Sequence, residues 1–147
     1  MFVFLVVLTL SSCNNTNTNI VTPEDIDNIK LTIEEKIEKP HGLTYSLKLQ
    51  NNSKHVIKQN NVYLSYPIKT ENGSRENEFK VEAKNNKLDI QPGEELLLTI
   101  FAPIEMYVGN DQIDINNPEI EIIGYLKEVE ELKKFYKGGG YRAMEDF

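Results

Sequence analysis

The stretch that decides the fold is Leu43-Thr44-Tyr45-Ser46-Leu47-Lys48-Leu49. Its large apolar residues occupy every second position, with smaller or polar residues between them. A period of two is typical of a β-strand that buries one face and exposes the other. Turn-forming residues bound the stretch, with Pro40-His41-Gly42 before it and Asn51-Asn52-Ser53 after it. We therefore predict a half-buried strand here.

The same alternation recurs along most of the chain, over residues 62–68, 79–83, 95–102 and 120–126. Asn72-Gly73 is a hairpin signal, and Gln91-Pro92-Gly93-Glu94 suits a type II turn because glycine accepts the positive φ. We also expect a short strand over Met106-Tyr107-Val108. Short strands with turns about every 8–12 residues, and no long helices between them, predict a mainly β, antiparallel sandwich or barrel.

Both ends of this β-rich region are ambiguous. Thr22-Pro23-Glu24-Asp25 predicts a helix start, so we expect one helical turn and then a strand near residues 29–38, with Ile29, Leu31, Ile33 and Ile37 on one face. A helix through Lys39 is the alternative. At the other end, Val129, Leu132, Phe135 and Tyr136 fall at helical spacing. They predict a short C-terminal helix, or an extension of the last strand, before Gly138-Gly139-Gly140.

Two segments resemble small immunoglobulin-like domains of Gram-positive lipoproteins and secreted proteins. They are Leu47-Lys48-Leu49-Gln50-Asn51-Asn52-Ser53 and Leu88-Asp89-Ile90-Gln91-Pro92-Gly93-Glu94. The resemblance implies an antiparallel immunoglobulin-like β-sandwich of about seven strands. It carries over no functional residue.

The start of the chain resembles a bacterial lipoprotein signal peptide. An apolar run over residues 2–10 is far shorter than the roughly 20 residues of a membrane-spanning helix, and Leu10-Ser11-Ser12-Cys13 matches the lipobox. The resemblance implies cleavage before Cys13 and acylation of that cysteine. The first buried strand of a cytosolic domain is the alternative. Because no Lys or Arg precedes the run, an upstream start is also open.

These features divide the chain into four parts. We expect a signal peptide over 1–12, a polar tether over 13–22, a β-sandwich with a C-terminal helix over 23–137 and a flexible tail over 138–147. The protein would then be a lipid-anchored protein on the extracytoplasmic face of the cell membrane, within the cell envelope. Its first partner would be the bilayer, through the acyl chains on Cys13.

The net charge and the cysteine count argue against several classes of partner and of chemical site. The net charge of −7 argues against binding to nucleic acid and against electrostatic adhesion to anionic lipid. Cys13 is the only cysteine, so its acylation would leave the folded part without a disulfide, a thiolate metal site or a cysteine nucleophile.

No catalytic pattern is present in the sequence. His41 and His55 both lie beside turn signals, and no Gly-x-Ser-x-Gly elbow accompanies them. Asp111, Asp114 and Asn116, with Asn117 and Glu119, are weak candidates for calcium ligands, but their spacing fits ordinary turns equally well. We expect no enzyme activity, cofactor or metal.

Some apolar residues fall on the strand faces that should be exposed. They are Tyr63, Leu97, Phe101, Ile123 and Tyr125. An apolar row outside a sandwich is covered by another element, such as the C-terminal helix, or by a protein partner or a second copy of the chain. We therefore expect a non-catalytic binding or interaction module with an unknown extracytoplasmic partner. An inhibitor or accessory subunit of an extracytoplasmic enzyme is the alternative, and a hydrolase is the third and weakest reading.

Overall fold

The protein folds as an antiparallel β-sandwich in a computed structural model that describes residues 20–140. The strands are β1 (Ile29–Lys39), β2 (Gly42–Asn51), β3 (Ile57–Ser65), β4 (Ile68–Thr70), β5 (Gly73–Arg75), β6 (Lys80–Glu82), β7 (Asp89–Ile90), β8 (Glu95–Pro103), β9 (Glu119–Leu126) and β10 (Lys134–Gly140). The first sheet, sheet A, has the order β1-β2-β8, and the second, sheet B, has the order β10-β9-β3-β6 with β7 also paired to β3. The predicted mainly β antiparallel sandwich is confirmed.

The predicted helical turn before the first strand is also confirmed, as α1 (Pro23–Asp27). Thr22 caps it, because its hydroxyl accepts a bond from the Asp25 N–H at 3.2 Å. The Asp25 carboxylate in turn accepts bonds from the Thr22 N–H and hydroxyl at 3.1 and 2.7 Å. This capping box stabilises the N-terminus of α1 just before β1. The alternative of a helix through Lys39 is wrong.

The first strand departs from the prediction at Glu34. Ile29 and Leu31 face the core, but a β-bulge between Ile33 and Glu35 inserts one extra residue. Because side chains alternate with a period of two, the extra residue inverts the phase of everything after it. Ile37 therefore lies on the outer face and is 39% exposed.

The core lies between the two sheets. Sheet A contributes the inward residues of β2 and β8, and sheet B those of β3 and β9; the fully buried large side chains include Tyr45, Leu47, Leu49, Leu98, Ile100, Leu64, Ile120 and Ile122. Within β2, β8 and β9, the residues of this set occupy alternate positions of the strand. The alternation read in the sequence therefore identifies the core face correctly.

The segment between β3 and β8 is less regular than expected. A hairpin does form at Asn72-Gly73: β4 and β5 pair, Glu71 and Asn72 make the turn, and Gly73 pairs with Thr70 as the first residue of β5. These two strands form a separate two-stranded sheet. Residue Phe79, expected on a buried face, precedes β6 and is exposed.

The C-terminal segment forms a strand where a helix was expected. A single 3₁₀ turn, Glu131–Lys133, precedes β10. The helical spacing predicted the wrong element, because only Phe135 of the four apolar residues at that spacing is buried. The backbone groups of the segment form hydrogen bonds with β9 rather than within a helix. Gly138–Gly140, expected in the tail, are the end of β10. Residues 141–147 lie outside the described part.

One other short strand was placed wrongly. Met106-Tyr107-Val108 contains the end of a 3₁₀ turn, Ile104–Met106, and no strand. Over residues 20–140, no helix is both long and apolar enough to cross a bilayer.

Candidate interaction surface

The five residues expected to form one apolar surface lie on opposite sides of the molecule. Leu97 and Phe101 alternate with buried residues of β8, so they face outward from sheet A. Tyr63, Ile123 and Tyr125 alternate with buried residues of β3 and β9, so they face outward from sheet B. The outer faces of a two-sheet sandwich point in opposite directions. One flat partner could therefore cover only one of the two groups.

On the outer face of sheet B, Tyr63, Ile123 and Tyr125 lie close to a fourth residue, Tyr136. Strand register places Ile123 between Tyr136 of β10 and Asn61 of β3. Tyr125 is one step along the same face of β9, and Tyr63 pairs with Glu121. We call Tyr63, Ile123, Tyr125 and Tyr136 the tyrosine face. The sequence pattern assigned Tyr136 to a helix, so only the pairing of β10 with β9 brings it here.

A charged group borders the tyrosine face. Lys80 of β6 lies 2.9 Å from both carboxylate oxygens of Glu121 and 2.8 Å from Glu76 Oε1. The Tyr136 hydroxyl donates to Glu121 Oε2 at 3.2 Å. Lys80 reaches this carboxylate across β3, and Tyr136 contacts it from the adjacent strand β10. The sequence offered one signal for it: Glu121 shares the outward phase of Ile123 and Tyr125.

Gly138 makes room for this arrangement. It pairs with Glu121, and a Cβ at its position would lie 2.5 Å from the Tyr136 hydroxyl oxygen and 3.2 Å from the Glu121 Cβ. The Tyr136 ring therefore lies over a strand position that has no side chain. The glycine run, read in the sequence as a helix stop, here lets an aromatic ring lie against the sheet.

The surroundings shift the pKa of several groups. Hydrogen bonds to Glu76 and Glu121 raise the pKa of Lys80. Partial desolvation of its hydroxyl against the sheet raises the pKa of Tyr136, and the Glu121 carboxylate raises it further. Burial, with the charge of Glu76, also raises the pKa of Glu119. At neutral pH the Tyr136 hydroxyl therefore remains a hydrogen-bond donor.

A shallow cavity of about 270 Å³ opens beside the group, lined by Glu76, Glu119, Ile120, Glu121, Tyr136, Gly138 and Gly139. Glu121 is already paired with Lys80. The chemistry available across this side of sheet B is hydrogen bonding and flat aromatic contact. Both suit recognition of another surface.

His55 lies in a polar contact with α1. Its Nε2 is 3.5 Å from Asp25 Oδ1. Ser53 donates its hydroxyl to Asn51 Oδ1 at 2.7 Å and to the His55 carbonyl at 3.1 Å. A serine, a histidine and an aspartate are therefore neighbours here, but the serine hydroxyl is engaged with Asn51 and the main chain. His41 is exposed in the turn before β2.

The weak calcium candidates lie in the connection between the 3₁₀ turn Ile104–Met106 and β9. Asp114 Oδ2 accepts a bond from the Asn117 amide at 2.7 Å, and the Asp114 N–H donates to the Pro67 carbonyl at 2.9 Å. Asp111 and Asn116 are exposed. Within residues 20–140, no three side chains of His, Cys, Asp or Glu are placed to hold a metal ion together. Leu10, Ser11, Ser12 and Cys13 lie outside the described residues.

Comparisons with known proteins leave the family open. No protein-family model matches the chain, and no curated protein matches it. One solved structure that matches is the Se-Met labelled β-glucosidase from Kluyveromyces marxianus, at 16% identity and a TM-score of 0.33, covering 77% of this chain and 15% of that chain. At that TM-score the likeness carries no argument about the function of this protein.

Proposed function

We propose that this protein is a lipoprotein of the bacterial cell envelope. Cys13 carries the acyl chains, and residues 13–22 tether the sandwich to the extracytoplasmic face of the membrane. The sandwich acts as a non-catalytic interaction module. Its tyrosine face binds an extracytoplasmic protein.

The anchor is supported by the match of Leu10-Ser11-Ser12-Cys13 to a lipobox at the end of an apolar run. The polar residues from Asn14 to Asn19 suit a solvated linker, because they offer almost no apolar surface to bury. Cys13 is also the only cysteine of the chain. Acylation would therefore leave no thiol exposed.

The interaction role is carried by one observation, the clustering of three tyrosines and an isoleucine on the outer face of sheet B. Tyrosine is enriched at protein interfaces, since its ring buries a large apolar area while its hydroxyl keeps a hydrogen bond. The adjacent ion pairs of Lys80 would form a polar rim. This combination favours a protein partner.

Metabolic labelling with a fatty acid tests the anchor. The unaltered chain should incorporate the label, and Cys13→Ala should abolish both the label and the membrane attachment. Thr18→Ala, which changes the tether outside the lipobox, should keep both. A Cys13→Ala protein that stays acylated would contradict the anchor.

Capture from detergent-solubilised membranes tests the tyrosine face. The double variant Tyr125→Ala/Tyr136→Ala should weaken binding of the captured protein by about 10-fold or more, because buried interface tyrosines commonly cost over 1 kcal/mol each. Leu97→Ala/Phe101→Ala, on sheet A, is the matched control and should bind normally. Equal losses in both variants would refute this face. A partner whose enzymatic activity falls on binding would select the inhibitor role.

A further inference from the structure

The loop that joins β9 to β10 exposes two large apolar side chains. Leu132 is 84% exposed and Val129 is 46% exposed. We call Lys127–Lys133 the β9–β10 loop. Leu132 is the most exposed of the large hydrophobic residues over residues 20–140. Together the two side chains place apolar surface on one short loop that the domain itself does not bury.

The β9–β10 loop has a defined conformation. Lys133 is only 3% exposed, and its ammonium nitrogen lies 2.8 Å from Glu128 Oε2 and 3.2 Å from Glu130 Oε2. The Lys133 N–H also donates to the Glu130 carbonyl at 2.9 Å. The buried ammonium bridges the two glutamate carboxylates and fixes the turn. Leu132 therefore points into solvent from a loop whose conformation these contacts stabilise.

This loop lies at the end of the sandwich where the tether enters. On one side of α1, His55 and Lys54 approach Asp25, at 3.5 and 4.0 Å, and the neighbouring Val56 carbonyl accepts a bond from the Lys127 N–H at 2.8 Å. On the other side, the Lys137 ammonium donates to the Ile26 and Asp27 carbonyls at 3.2 and 3.3 Å. The first of these contacts places the start of the loop beside the 53–56 segment that approaches α1, and Lys137 lies further along β10, so the loop is at the same end of the sandwich as α1, the first element after the tether.

The length of the tether limits how far this end can lie from the bilayer. Seven residue steps separate Cys13 from Ile20, the first described residue. Such a segment spans at most about 25 Å when fully extended and about 15 Å as a flexible coil. The opposite end of the domain is a further ~30 Å away along β2. Leu132 and Val129 are therefore on the part of the domain nearest to an anchor at Cys13.

We propose that the β9–β10 loop is a second membrane contact, with Leu132 and Val129 inserting into the interfacial region of the bilayer. The inference rests on the proposed acylation of Cys13, which brings the loop to the lipid. The contact is apolar rather than electrostatic, because Lys133 is paired with Glu128 and Glu130 and the chain carries a net charge of −7. It would orient the sandwich with its tether end against the membrane.

Single tryptophans report the contact directly, because the chain contains no Trp. The full chain is produced in a bacterium that acylates lipoproteins and reconstituted in vesicles of neutral phosphatidylcholine with brominated lipid as the quencher. Leu132→Trp should lose most of its fluorescence and shift to the blue, and Val129→Trp should behave alike. Raising the salt concentration should not change the result.

Val108→Trp is the matched control, an apolar site that is 61% exposed at the other end of the sandwich, beside the 3₁₀ turn that bonds to His41. It should keep its intensity. An acylated protein in which residue 132 is not quenched, or is quenched no more than residue 108, overturns the loop contact and leaves the anchor standing. A mass that shows no acyl chain on Cys13 overturns the anchor and, with it, this inference.

Discussion

Asn51 shows how one side chain holds several segments of this fold together. Its amide donates to the carbonyls of His55 and Ile90 at 2.8 and 3.0 Å, and its Oδ1 accepts from the N–H and hydroxyl of Ser53 at 3.2 and 2.7 Å. Its backbone bonds to Gly93 and Glu94 of the Pro-Gly turn. The two sequence segments that resemble immunoglobulin-like domains are thus in contact through this residue.

Replacing Asn51 with Ala should therefore destabilise the protein by about 3 kcal/mol. The Asn51 amide is fully buried, and its removal leaves the carbonyls of His55 and Ile90 and the polar groups of Ser53 without this partner. Urea unfolding measures the loss. Asn52→Ala is the matched control: its side chain is exposed, and its backbone bond to Asn28 remains. A loss in the control as large as in Asn51→Ala would contradict this role.

At the scale of elements, the helix start, which depends on nearby residues, was predicted correctly, and two features that depend on pairing with a distant strand were not. The capping box of Thr22 and Asp25 acts within four residues, so the helix start was readable from the sequence. The bulge at Glu34 and the strand character of Lys134–Gly140 depend on β2 and β9. No residue near them carries that information, so sequence patterns placed Ile37 and Tyr136 wrongly.

The capping box makes α1 sensitive to acid. Burial raises the pKa of Asp25, but the bonds from Thr22 and the charges of His55 and Lys54 outweigh it and lower the pKa overall. A lowered pKa adds stability above the unfolded value of about 4, and that stability is lost as the pH falls through the folded value.

Unfolding of Asp25→Asn tests this expectation. Its free energy of unfolding should be below that of the unaltered protein at pH 7, and the difference should shrink as the pH falls below about 4. Asp27→Asn removes an exposed carboxylate from the same helix and serves as the control. A difference that stays constant with pH would contradict the assignment.

At the scale of the whole molecule, the two sheets are joined by a polar contact inside the core. Tyr45 of sheet A and Tyr66, which follows β3 of sheet B, are both fully buried, and their hydroxyl oxygens are 2.9 Å apart. The ring of Tyr107 meets Tyr66 edge to face, with centroids 5.7 Å apart. This cluster fixes how one sheet lies on the other at the end opposite to α1.

Tyr66→Phe should therefore lower the free energy of unfolding by about 1–2 kcal/mol, because it removes the buried hydrogen bond and keeps the ring. Tyr107→Phe also keeps its ring contact and should change stability less. Equal effects in chemical unfolding would show that the hydroxyl pair does not link the sheets.

The sequence by itself determined the class of fold, the inward face of nearly every long strand, the capped turn before β1 and the Pro-Gly turn. Each of these depends on residues within one strand or one turn, so periodicity and capping chemistry are sufficient. Only the tertiary structure decided that Leu97 and Phe101 face away from the tyrosine face, that Glu34 inverts the phase of β1, and that the glycine-rich segment is an edge strand. The physical reason is that strand partners are distant along the chain. Backbone hydrogen bonds join them, and because every residue other than proline offers the same backbone donor and acceptor, the local sequence does not identify the partner.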